Sequence, residues 1–170
     1  MTQRSTSGVH LAFHGGQSIF RRQGDSQKQD AVAFSTLEAE VYAGRAGYRK
    51  VTILALVLWD VIAPQMTIPM FHEDNQAMIM VVMSGRNPTM RHLGRVHRVS
   101  VSWLHERLGK HPDNDGTILF YDDTHNMSAD IYTKAFPSPE NWSHALHLIN
   151  IFRPEDVNPT FLSEWMSSRA

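Results

Sequence analysis

Three carboxylates stand in settings that could pool negative charge. Glu40 lies in "AFSTLEAEVYAG" (33–44), Asp74 closes "MTIPMFHED" (66–74), and Asp130 follows "THNMSA" (124–129). Carboxylates that converge repel and raise one another's pKa unless a cation neutralises them. Hard oxygen ligands in a chain with no cysteine suit Mg2+ or Mn2+. Two such ions about 4 Å apart activate a water and stabilise the leaving oxygen in phosphodiester hydrolysis. Taken singly, each acid is more often a cap or a surface group. His125, in the loop before Asp130, reads as a proton shuttle or as a plain loop histidine.

The elements that must position these acids can be read in order. "GVHLAFHGGQSIFRR" reads as a hairpin: Val9, Leu11 and Phe13 alternate, Gly15-Gly16 turns, and Ile19-Phe20 returns. "QGDSQKQD" reads as a polar loop and "AVAF" as a short further strand. Ser35 and Glu38 form a capping box, with the serine oxygen on the amide of residue 38 and the glutamate reaching back to the amide of Ser35. Glu40, two positions on, points elsewhere on the helix, so the two acids differ in role. Leu37, Val41, Tyr48, Val51, Ala55, Leu58 and Ile62 recur at helical spacing as the buried stripe, and Pro64 stops it. "MTIPMFHED" is a strand, and "NQAMIMVVMSG" a helix with Asn75 as cap and Gly85 as stop. Five of the nine methionines fall within 66–83 and read as core filling. "HRVSVSWLHERLG" is read as helix, "GTILFYDD" as strand, "THNMSAD" as a loop entering a helix capped by Ser128, and "ENWSHALHLINIF" as the last helix. The fold class is α/β, a mixed sheet with flanking helices. Asp74 falls at the C-terminal end of a strand, where ligand sites of open α/β sheets collect.

The 170 residues are balanced in charge, with 16 Lys+Arg against 17 Asp+Glu, and 42% are hydrophobic, enough for a core. The balance hides an asymmetry. Arg86, Arg91, Arg95, Arg98, Arg107 and Lys110 crowd the stretch 86–111 with Glu106 the one acid. Asp113, Asp115, Asp122, Asp123 and Asp130 follow. That arrangement reads either as two solvated surfaces or as a phosphate-gripping face beside a cation-holding one. The N-terminus "MTQRSTSG" is polar and no apolar run reaches span length, so no signal peptide or membrane partner is expected and the expected setting is intracellular.

Four motifs in order, "RSTSG", "AFSTLEAEVYA", "EDNQA" and "SADIYTK", resemble the ribonuclease H domain of copia-type retrotransposon polyproteins. That family shows a similar "R-S-T-S-G" by its first hairpin, an "S-S-T-E-A-E-Y" helix start, a "C-D-N-Q" strand end and an "L-A-D-I-L-T-K" helix. The resemblance covers about residues 4–152, leaving 153–170 as a tail. It implies a ribonuclease H-like fold and hydrolysis of the RNA strand of an RNA–DNA hybrid by two metal ions. It implies Glu40, Asp74 and Asp130 as metal ligands, Mg2+ or Mn2+ as cofactor, and Glu38 as the cap. "RHLGRVHRVSVSWLHE" resembles the family's basic "R-T-K-H-I-D-I-R-Y-H-F-I-R-E" segment with a register shift, which would set Arg91, Arg95, His97 and Arg98 against the hybrid. Such contacts give salt-sensitive, sequence-independent binding, and contact with the 2′-hydroxyl distinguishes RNA from DNA.

The family's fourth carboxylate, an aspartate on a central first strand, has no counterpart here, because only Met1, Thr2 and Gln3 precede Arg4. The resemblance thus implies a domain without its first strand, with weakened metal affinity and open sheet edges. Three expectations follow: a weak or inactive ribonuclease H-like domain, an active one completed by a partner chain or dimer that supplies the strand, or a non-catalytic nucleic-acid-binding module using the 86–111 block. A histidine site of His92, His97 and His105 is a remote fourth reading, since no helix register unites them.

Overall fold

In a computed structural model the chain is a mixed α/β protein with two small sheets and several helices; residues 4–15, 18–64, 68–87, 100–111 and 114–167 are described. β1 (Thr6–Gly15) and β2 (Ser18–Lys28) form an antiparallel hairpin, with a bulge where Leu11 faces Gln23 and Ala12 faces Arg21. β2 runs on through "QGDSQK", the stretch read as loop. It does so because β1 offers a partner to each residue of that stretch, from Gln23 to Lys28, and pairing overrides the low strand propensity of Gly, Asp and Ser. "AVAF" is not a strand.

α1 (Thr36–Gly47) continues through a π-helical segment (Tyr48–Thr52) into α2 (Ile53–Ile62). The π segment corrects the buried stripe. Val41, Tyr48 and Val51 are buried, but Leu58 and Ile62 are exposed. A wide i→i+5 turn adds a residue to the helical circuit, so every side chain after it is rotated out of the phase a straight helix would keep.

β3 (Met70–Glu73) pairs in parallel with β4 (Ile118–Tyr121), Met70 opposite Ile118 and Glu73 opposite Tyr121. Pro69 stands just before β3, and its carbonyl accepts the Ile118 amide at 2.9 Å. α3 (Gln76–Ser84) starts on Asn75, whose side chain accepts the Met78 amide, and stops on Gly85 in the left-handed conformation that glycine adopts without strain. α4 (Val101–Leu108) is capped by Ser100. The core joins α1, the π segment, α3 and α4 through Val41, Tyr48, Met78, Val82, Leu104 and Leu108, and the inner face of the parallel pair packs on it with Phe71 and Leu119. Only part of the methionine run is core: Met78 is buried, while Met70 and Met80 are exposed.

Two further differences concern the C-terminal third. Residues Ser128–Tyr132 form a 3-10 turn rather than a capped α-helix. Ser128 donates instead to the Leu148 carbonyl on α5 (Pro139–Leu148), which removes it from any capping role. The segment read as a loose tail carries α6 (Pro159–Ser167). Among the described residues the hairpin and the parallel pair are separate two-stranded sheets rather than one mixed sheet.

Candidate acidic site

α1 begins as its first residues dictate. The Ser35 hydroxyl accepts the Glu38 amide at 3.1 Å, and the buried Glu38 carboxylate accepts the Phe34 amide at 2.8 Å, one residue before the expected partner. Glu38 is therefore committed to the helix end. Glu40 is not. It lies half-buried, and its pKa is raised, first by burial and next by Asp74; Lys134 opposes this and Asp130 adds to it. Asp74 and Asp130, 34 and 90 positions from Glu40 in the chain, thus act together on it.

Asp74 sits between β3 and α3, where the strand hands over to Asn75. Glu73, which sequence reasoning passed over, is buried beside it. Its carboxylate accepts the Asn75 amide at 3.0 Å. Burial pushes its pKa up to about 8, against the Asn75 bond, with Glu40 and Asp74 raising it further. Glu73 therefore keeps its proton at neutral pH. The signal was present: in a period-2 strand Glu73 shares the inward face of Phe71.

Asp130 rides on the 3-10 turn, and Lys134 donates to it at 2.6 Å. The turn is pinned to the hairpin. The Tyr132 carbonyl accepts the Ser26 hydroxyl at 2.7 Å, and the Tyr132 hydroxyl meets His10 Nδ1 at 3.1 Å. Gly24 packs on the Tyr132 ring, and Gly8 faces the Ala129 carbonyl, approaches that leave no room for a Cβ.

His125 stacks on His144 with ring centroids 3.9 Å apart, and its carbonyl accepts His144 Nε2 at 2.8 Å. His125, His144 and Asp130 line a cavity of about 170 Å³ floored by Phe136, Ala145 and Leu148. Arg91, Arg95, His97 and Arg98, with His92, lie outside the described residues. His105 is engaged with the Val82 carbonyl at 2.8 Å. Arg107 is tied to Asp115 at 2.6 Å, so one cation of the basic stretch meets one anion of the acidic stretch.

The donor chemistry suits a hard divalent cation: oxygen ligands, with like charge and burial holding Glu40's pKa up, a penalty that a cation relieves. The arrangement is not a closed cage. Among the described residues no three acidic or histidine side chains are grouped closely enough to hold one ion. Among the same residues no helix is long and apolar enough to cross a membrane. Compared with known proteins, the chain matches no family model, no curated protein and no solved structure.

Proposed function

We propose that the chain is a ribonuclease H-like domain in which Glu40, Asp74 and Asp130, not grouped closely enough here to hold one ion, draw together on Mg2+ or Mn2+ and hydrolyse the RNA strand of an RNA–DNA hybrid weakly. The observation that carries this reading is the shared field of three acids drawn from α1, the end of β3 and the 3-10 turn. Bound ions would supply an activated water and a counter-charge for the leaving oxygen. The chain's own residues supply the rest. Glu38 fixes the helix end from which Glu40 projects, Asn75 sets the exit from β3 at Asp74, and Tyr132 with Gly8 seats Asp130. His125, which lines a cavity with Asp130, would move a proton.

Weak rather than full activity fits two features. Lys134 competes with a cation for Asp130, whose Oδ2 it already holds. Among the described residues the two sheets also leave edges unpaired, which a strand from a partner chain or a second copy would join, completing the fold and the site. A non-catalytic binding module using the 86–111 block has less support, because Arg107, one of its cations, is neutralised by Asp115. Titration with Mn2+ monitored by electron paramagnetic resonance tests the site: Glu40→Gln and Asp74→Asn each reduce bound Mn2+. Equal binding by wild type and both variants refutes it.

A further inference from the structure

Among the described residues the outer face of α2 is apolar and exposed. The helix reads ILALVLWDVI, with Asp60 its one charged residue. At 100° per residue Leu54, Val57, Leu58 and Val61 share one face, spaced i, i+3, i+4 and i+7. They are 65%, 60%, 42% and 80% exposed. The opposite face carries Leu56 and Trp59 and is turned to the protein, where the Trp59 ring lies 4.6 Å from that of Phe13 on β1. Among the described residues α2 is thus anchored on one side and exposed on the other. The π segment sets that phase, and with it the outward turn of Leu58.

We infer that this face is a docking surface for α2 of a second copy of the chain, the two helices running antiparallel about a two-fold axis. The area is sufficient. The four side chains, with Ile62 on their flank, expose on the order of 500 Å², as large as the largest apolar patch of a typical monomer. A symmetric pair would bury roughly 1,000 Å², the lower bound for a specific interface. The spacing is self-complementary: 54, 57, 58 and 61 read the same in both directions about the midpoint of 57 and 58. An antiparallel copy therefore sets Leu54 against Val61 and Val57 against Leu58, an isologous contact between similar shapes. The net charge of −1 adds no bulk repulsion. The face carries no Lys or Arg, which a helix lying on an anionic lipid surface would need.

The inference is independent of the nuclease reading and is tested by mass. Sedimentation equilibrium of the full chain at tens of micromolar is expected to give close to twice 19.3 kDa. Leu54→Lys and Val61→Glu each bury an unpaired charge and weaken association at least ~10-fold. Both sites are exposed, so circular dichroism stays at wild type. Mixing the two variants restores the dimer, because the introduced lysine faces the introduced glutamate while Val61 of the first copy still meets Leu54 of the second. A monomeric wild type overturns the inference. So do single variants that stay dimeric, or a mixture that fails to recover. Monomeric wild type that floats with neutral phospholipid vesicles assigns the face to lipid instead.

Discussion

Gly8→Ala tests how the Asp130 turn is seated. An ideal Cβ on residue 8 would stand 2.5 Å from the Ala129 carbonyl oxygen and 2.8 Å from Thr133 Cγ2. The nearer atom belongs to the backbone, so no side-chain rotation relieves the clash. The 3-10 turn must lift from β1, straining the Ser26 and His10 hydrogen bonds to Tyr132. Overpacking of this kind costs about 1–3 kcal/mol. At this chain length each kcal/mol lowers Tm by roughly 2–4 °C, so a fall of about 2–12 °C is expected in thermal melts followed by circular dichroism. Gly15→Ala is the control. Its Cβ is crowded by the Ser18 hydroxyl at 2.7 Å, a group that can rotate away, while the Ser18 carbonyl oxygen at 3.7 Å is in ordinary contact, and a change within about 0.5 kcal/mol is expected. A Gly8→Ala melt that coincides with wild type, or an equal fall in Gly15→Ala, refutes the seating of Asp130 described above.

Glu73 should make stability fall with rising pH. Its pKa is raised from 4.5 to about 8, so folded and unfolded chains both hold the proton below 4.5, and above about 8 both release it. Between those values only the folded state holds it, and stability declines by at most about 1.4 kcal/mol per pH unit. Urea unfolding in chelator between those limits should show a shallower decline for Glu73→Gln; parallel curves would count against the buried, protonated carboxyl. Tyr48→Phe should cost about 1–2 kcal/mol in urea unfolding, because the buried Thr117 hydroxyl, now 2.8 Å from Tyr48, loses its partner. An unchanged midpoint would show that water serves Thr117 as well. Lys134→Ala should lower stability in chelator by up to about 1 kcal/mol, since the pair is solvent-exposed, and should enlarge the Mn2+-induced rise in Tm. A smaller rise would mean that Lys134 aids cation binding rather than competing with it.

What was legible in the sequence was local. Ser35 with Glu38, Asn75 with Gly85, and the alternation through Phe13 each act within a few residues of themselves, and each formed its element. What was not legible depends on partners distant in the chain. β2 extends through polar residues because β1 faces it. Ser128 abandons capping because Leu148 offers a carbonyl. The π segment leaves no mark in residue type, so Leu58 and Ile62 were expected inside. Within the candidate site, Glu40, Asp74 and Asp130 could be singled out by type and setting, and their shared field required the fold. Glu73 has the same acidic type as its neighbour Asp74, and burial in the fold is what sets it apart. Its inward face follows from the same alternation that buries Phe71.

The most direct test of the central claim is cleavage of a labelled RNA–DNA hybrid by the purified 170-residue chain with Mg2+ or Mn2+, beside Glu40→Gln. The account predicts slow, cation-dependent release of RNA fragments that disappears in the variant. A folded chain that leaves the RNA intact, or cleavage undiminished by Glu40→Gln, would contradict it.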